Sequence, residues 1–312
     1  MLASKPLVLL YEPIHEEGLE VLRPHAEPRL ASATDEDAIL HEVREAEGII
    51  IRALGSVTAR VMDAAPQLRV IGRHGVGVDN VDIPAATERG IWVVNTPLAV
   101  TEPVAEHVIG MMIALVKSFL ACDRATRAGD WGYRNRMQGI NLRGKTLGVV
   151  GMGRIGLRTA EIAHMGLGMK IVYSDVVPSA EAESRLGAQR LELYELLAVS
   201  DVVTLHTPYL PETHHLIDSQ ALSRMKPTSY LINAARGRVV EQEALVDALR
   251  ERRIAGAALD VFEREPPEED NPLFGLDNVL LTPHVAAATE EALIDMALVA
   301  KDIVAVLQGQ TP

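Results

Sequence analysis

The chain has 312 residues, enough for two domains, and folding at this size removes roughly 75% of the unfolded surface from water. Apolar residues make up 48% and charged residues 23%, an ordinary globular composition. The formal charge of −13 argues against a nucleic-acid or anionic-membrane partner, since both need clustered Lys and Arg. An anionic substrate therefore needs positive charge supplied locally by its own site.

Pro6–Glu12 is a strand-length apolar run stopped by a charge, too short for a signal-peptide core. Further strands are predicted at Gly48–Ile51, Arg69–Ile71 and Ile91–Val94, after the first at Leu7–Leu10. Helices lie between them, one over Thr58–Ala64 with Thr58 as its N-cap. After a break at Asn95-Thr96-Pro97, the segment Glu102–Leu120 reads as one helix whose apolar residues nearly encircle it. Such a helix is expected to be buried between domains or against a second subunit. Its apolar stretch Val108–Val116 is far too short to span a membrane. Cys122 is the single cysteine, so the sequence offers no internal disulfide and no cysteine metal cluster. A cytoplasmic location follows as the expectation.

A second series of strands is predicted at Thr146–Val150, Lys170–Ser174, Val202–His206, Ser229–Asn233, Ala255–Leu259 and Val279–Leu281. Alternation with helical segments indicates α/β architecture with parallel sheets. The acidic, Pro-rich stretch Glu263–Pro272 is a loop. The final segment, Thr289–Leu307, reads as one amphipathic helix, expected to cross back and pack on the first domain. Domain one is then discontinuous, 1–98 with 286–312, and domain two covers 99–285.

Strand Thr146–Val150 runs into Gly151-Met152-Gly153-Arg154-Ile155-Gly156, and a helix follows. Gly151 permits the turn, Gly153 lets a pyrophosphate approach the backbone, and Gly156 allows helix–strand packing, while the helix N-terminus offers N–H groups to the anion. The next strand ends at Asp175, roughly 20 residues past Gly156, where an acid would accept from a ribose 2′-OH and repel a 2′-phosphate. No Arg follows at once, so NAD is favoured over NADP.

Ligands of open parallel sheets sit beyond the carboxyl ends of the strands. Those ends carry Gly151, Asp175, Thr207, Arg236, Asp260 and His284. An imidazole such as His284 suits proton exchange at a carbonyl oxygen while hydride arrives at carbon. A carboxylate from the acidic loop would stabilise the protonated ring, and sequence leaves open Glu263, Glu265, Glu268 and Glu269. Arg236, among small residues, offers a bidentate grip for a substrate carboxylate. Asp260 could steady Arg236, touch the nicotinamide ribose or cap the next turn. His214-His215 and Glu106-His107 lack a third ligand at sensible spacing, so no metal is expected.

Gly151–Gly156 with Asp175, His206-Thr207-Pro208, Asn233–Gly237, Ala257–Phe262 through Glu265-Pro266, and Thr282-Pro283-His284 together resemble the D-2-hydroxyacid dehydrogenases. The segment Arg73–Asp82 is most similar to the phosphoglycerate dehydrogenase branch. The resemblance implies a Rossmann-type doubly wound NAD-binding domain and a discontinuous, flavodoxin-like α/β substrate domain with a cleft between them, usually in a homodimer. It implies an Arg236/Glu265/His284 triad, with Arg154, Ile155, Thr207, Ala234 and Asp260 touching NAD. Val76 and Gly77 would offer backbone N–H groups to the substrate carboxylate, and Arg52 could bind a distal phosphate or carboxylate. Leu98–Pro103 and Val285–Thr289 depart from the usual pattern, leaving the acid open between 3-phosphoglycerate and a hydroxypyruvate or glyoxylate reductase substrate. No regulatory extension follows Pro312, so a form without effector control is expected. The alternative from another class is an NADH-sensing corepressor-like scaffold.

Overall fold

The computed structural model describes residues 5–312. Strands in chain order are β1 (Leu7–Leu10), β2 (Glu27–Leu30), β3 (Ala46–Ile51), β4 (Val70–Arg73), β5 (Trp92–Asn95), β6 (Thr146–Val150), β7 (Lys170–Ser174), β8 (Gln189–Arg190), β9 (Val202–Leu205), β10 (Tyr230–Asn233), β11 (Gly256–Leu259) and β12 (Val279–Leu281). The helices are α1 (Glu16–Leu22), α2 (Glu36–Glu42), α3 (Ala59–Ala64), α4 (Ile83–Glu88), α5 (Thr101–Val116), α6 (Phe119–Arg127), α7 (Arg154–Leu167), α8 (Ala180–Leu186), α9 (Leu193–Val199), α10 (Ser219–Arg224), α11 (Gln242–Arg250), α12 (Glu290–Ala297) and α13 (Val299–Leu307). The chain forms two compact units, one from the residues up to Val100 with Ala288–Pro312, the other Thr101–Ala287.

In the first unit five parallel strands follow the order β2-β1-β3-β4-β5, the flavodoxin order. Side chains alternate across a strand, so each face needs its own cover. Leu7, Leu9, Ile49, Ile51 and Ile71 pack with Val43, Val61 and Ala85 on one face. Val8, Leu10, Ile50 and Val70 pack with Val299, Ile303 and Val304 of α13 on the other. Burial on both faces explains why β1 and the Gly48–Ile51 part of β3 read as continuous apolar runs. Thr58 does cap α3, its Oγ1 accepting from the Val61 N–H at 3.3 Å.

The second unit is a seven-stranded parallel sheet, β12-β11-β10-β9-β6-β7-β8. Read from the other end, its strands run 3-2-1-4-5-6 with one more at the edge, the dinucleotide-binding order, with the reversal between β6 and β9. Helix α5 packs on α7 and on the strands β10, β11 and β12.

Two expectations need correction, and two edge strands went unpredicted. Glu102–Leu120 is not one helix: Ser118 takes φ 53°, and α5 and α6 meet at 59°. The left-handed residue breaks the hydrogen-bond ladder, and α6 buries none of its side chains. No single helix among the described residues is long and apolar enough to cross a membrane. Thr289–Leu307 also divides, at Leu298, whose ψ of −1° closes α12 with a tight turn before α13 restarts. Strand β2 escaped prediction because its residues, Glu27-Pro28-Arg29-Leu30, lie at a mostly exposed edge with no apolar alternation. The two-residue edge strand β8 gave no signal either.

Candidate active site at the carboxyl edge of the second sheet

The reversal between β6 and β9 leaves a crevice at the strand ends, and the glycine loop turns there. Gly151 has φ 93°, a region L side chains rarely adopt. A β-carbon on Gly156 would stand 2.1 Å from the Gly151 carbonyl oxygen, so α7 can start this close to the loop only with glycine. A β-carbon on Gly153 would meet nothing within 4 Å, leaving open space before the loop. Helix α7 begins at Arg154, so the N–H groups of Arg154, Ile155 and Gly156 have no partner within the helix. Buried Thr207 Oγ1, just past β9, also has no hydrogen-bond partner. Open space, unpartnered amides and an orphaned hydroxyl fit a dinucleotide pyrophosphate.

Asp175 follows β7, as the motif requires. Its Oδ2 accepts from the Met152 N–H at 2.6 Å and its Oδ1 from the Val177 N–H at 3.0 Å, so it braces the loop. One neighbour was not foreseen. Arg190, on edge strand β8, donates to the Asp175 carbonyl at 2.8 Å and to the Val176 carbonyl at 3.3 Å. Reading only the residues next to Asp175 could not reveal a cation arriving from the adjacent strand.

Farther along the same edge, His284 Nδ1 lies 2.7 Å from Glu265 Oε2. The other oxygen of Glu265 accepts from the Phe262 N–H at 2.9 Å. Burial pushes the Glu265 carboxyl up, but the His284 hydrogen bond, the Phe262 amide and the charges of His284 and Arg236 outweigh it, holding it below its ordinary range. The geometry thus selects among the four acids. Glu263 is committed to His215 Nε2 at 2.8 Å and to the Gln242 N–H, Glu268 pairs with Arg264, and Glu269 is exposed. An ionised Glu265 can only accept, so Nδ1 of His284 carries the hydrogen and Nε2 is left for exchange. Among the described residues no hydrogen bond occupies Nε2, and the side chain is 48% exposed.

Arg236 leaves β10 after a turn built by Asn233. Buried Asn233 accepts from the Ala235 N–H at 3.0 Å and donates from Nδ2 to the Arg236 carbonyl at 2.9 Å. Ala234 is partly exposed at this edge, with a side chain small enough to leave room. Asp260 behaves differently from a ligand contact. It is fully buried, and its carboxylate accepts from Thr282 Oγ1 and from the Val285 and Ala286 N–H groups, spending itself on the turn that carries His284. Of its three readings, capping the turn is the one this geometry matches.

In the first unit, Arg52 follows β3 and donates from Nη1 to the Pro13 carbonyl at 2.6 Å. No hydrogen bond among the described residues uses the Val76 or Gly77 N–H, while the Val76 carbonyl accepts from Asn95 Nδ2 at 2.8 Å. His74, before them, is 3% exposed, and burial with the charges of Arg52 and Arg73 drives its ring down to about 4.

A dinucleotide cradle beside a carboxylate-held imidazole suits hydride chemistry at a carbonyl whose oxygen exchanges a proton, the work of an NAD-dependent oxidoreductase. Comparison with known proteins specifies the class. Residues 109–286 match the family model described as the D-isomer specific 2-hydroxyacid dehydrogenase, NAD binding domain. A D-3-phosphoglycerate dehydrogenase of Archaeoglobus fulgidus is 42% identical over 97% of this chain, which spans 57% of that relative's length. A glyoxylate reductase of Korarchaeum cryptofilum is 40% identical over 99% of this chain and 95% of its own. Among solved structures, D-lactate dehydrogenase from Aquifex aeolicus, complexed with NAD and lactic acid, superimposes with a TM-score of 0.88 at 32% identity, covering 97% of this chain and 96% of that one. The chain belongs to the D-2-hydroxyacid dehydrogenase family.

Proposed function

We propose that the protein reduces a small 2-keto acid, and oxidises the corresponding D-2-hydroxy acid, with Arg236, Glu265 and His284 as its reacting side chains. The observation that carries this reading is the 2.7 Å contact between His284 Nδ1 and Glu265 Oε2, which leaves Nε2 open at the dinucleotide edge. Bound at the Gly151–Gly156 loop, NAD(H) supplies or accepts the hydride. His284 Nε2 gives its proton to the substrate oxygen during reduction and takes it back during oxidation. Glu265 stabilises the imidazolium form and keeps the ring in one tautomer. Arg236 grips the substrate carboxylate with two parallel N–H bonds and polarises the reacting carbonyl. In the first unit, the unused N–H groups of Val76 and Gly77 are proposed as donors to a substrate carboxylate.

Arg52 is proposed to read a distal anionic group, which favours a phosphorylated three-carbon acid. The near full-length match to a glyoxylate reductase favours a second reading, glyoxylate or hydroxypyruvate as the substrate. NADH oxidation with glyoxylate, hydroxypyruvate, pyruvate and 3-phosphohydroxypyruvate separates the two. If Arg52 reads a phosphate, Arg52→Ala depresses turnover of the phosphorylated acid selectively. Equal losses on all four acids contradict that role.

The working form is proposed to be a cytoplasmic homodimer. Helix α6 buries no side chain, and Phe119, Leu120 and Trp131 are 55%, 50% and 68% exposed, apolar surface that a second copy could cover. Light scattering on the purified protein at micromolar concentration tests the dimer, and a monomer would refute it.

A further inference from the structure

His284 sits in a backbone conformation that its own β-carbon disfavours, with φ 53°. What holds it there is a set of bonds converging from Asp260. The backbone carbonyl of Asp260 accepts from the His284 N–H at 2.8 Å. Its carboxylate accepts from the two amides that follow, Val285 and Ala286, both at 2.9 Å. The turn on either side of the imidazole is therefore clamped to one fully buried acid.

That acid is in turn reached from α5. Thr282 Oγ1 donates to Asp260 Oδ1 at 2.5 Å, and His107 Nε2 lies 3.2 Å from the same hydroxyl. A threonine hydroxyl has one hydrogen, and an ionised carboxylate can only accept. The hydrogen of Thr282 is thus spent on Asp260, and the bond to His107 must run from an Nε2–H to the hydroxyl lone pair. His107 Nε2 is also 3.6 Å from Asp260 Oδ1, the one basic side chain among the described residues at ion-pair distance from that buried acid.

We propose that His107 is a positioning residue: through Thr282 and Asp260 it fixes the turn that aims His284, without touching substrate or cofactor. The inference rests on His284 being the proton-transferring group. The chain of bonds locks two things, the orientation of the Thr282 hydroxyl and the placement of the Asp260 oxygens under the 285 and 286 amides. Loss of the α5 end leaves the Thr282 hydroxyl held by Asp260 alone, so that pair can shift together and the turn can relax toward a less strained backbone.

The test compares His107→Leu, Thr282→Val and His107→Gln with the unmodified enzyme in its reductive reaction. Both apolar variants are expected to lose about tenfold in kcat, with NADH affinity by fluorescence held within about twofold, as for a reacting group displaced by a fraction of an ångström. Their solvent deuterium isotope effect on kcat should rise, because proton transfer becomes harder while binding is unchanged. His107→Gln, which keeps an N–H for Thr282, should recover most of the rate and the original isotope effect. An unchanged kcat in His107→Leu overturns the proposal, as does a loss that leaves the isotope effect unmoved and is not rescued by Gln. His284→Ala measured alongside keeps the two claims apart. If it loses turnover while His107→Leu does not, only the positioning role fails; if it too stays active, the reading of His284 fails first.

Discussion

Glu265 holds His284 by a single nitrogen, Oε2 to Nδ1 at 2.7 Å, while its other oxygen is tied to the Phe262 amide 2.9 Å away. The carboxylate is thereby fixed at both ends, and the imidazole can rotate little without breaking a charge-assisted bond.

This arrangement sets the pH behaviour. The Glu265 carboxyl is held below its ordinary value, so its stabilising charge is fully present above that value and is lost only as pH falls through the lowered one. The acid limb of activity should therefore not show Glu265 titrating in the usual carboxylate range. Glu265→Gln keeps an acceptor but removes the charge that favours the imidazolium. Reduction, which consumes the His284 proton, should then slow, by on the order of tenfold per 1.4 kcal/mol of lost stabilisation. A Glu265→Gln variant that reduces at the unmodified rate would contradict a role for the carboxylate charge.

Asp175 and Arg190 together make a prediction about cofactor choice. The carboxylate opposes a 2′-phosphate, while the Arg190 guanidinium beside it is occupied with the carbonyls of residues 175 and 176. Asp175→Ser should raise kcat/KM for NADPH by about tenfold, because the Arg190 guanidinium is then left to attract the 2′-phosphate with no carboxylate opposing it. It should also weaken NADH, since the brace on the Met152 amide is lost. Adding Arg190→Gln should remove the gain with NADPH. An NADPH gain that survives the double substitution would assign it to relief of repulsion alone.

His74 predicts acid sensitivity in the first unit. Its ring is held at about 4 in the folded chain against 6.5 when free, with burial the main cause. Between these values the unfolded chain takes up a proton that the folded one refuses, so stability falls as pH drops from 6.5 toward 4. The loss is roughly 3 kcal/mol by linkage. Urea midpoints measured across that window should fall faster for the natural protein than for His74→Gln. Parallel curves would exclude His74 as the source.

Much of this was legible because strand ends are punctuated. Runs such as Thr146–Val150 stop at polar or glycine residues, so Gly151, Asp175, Thr207, Arg236, Asp260 and His284 are readable from one sheet edge by pattern alone. Glu265 could not be separated from Glu263, Glu268 and Glu269 by pattern, because the choice depends on which carboxylate the Phe262 amide and the His284 ring meet in space. Arg190 and His107 carried no signal for the same reason: their partners lie on another strand and in a distant turn. The break at Ser118 was hidden because the apolar pattern continues across it while one backbone angle changes sign. Edge strand β2 was hidden because an exposed edge needs no apolar period.

The most direct measurement is single-turnover reduction by His284→Ala, followed as NADH oxidation with the best 2-keto acid, using 4-deuterated NADH to show that hydride transfer limits the rate. If Nε2 of His284 gives the proton, the rate should fall by about 10²–10⁴ while NADH still binds with unchanged affinity. A fall of less than about fivefold, with a full deuterium effect, would contradict that role, since positioned acid catalysis contributes far more than this.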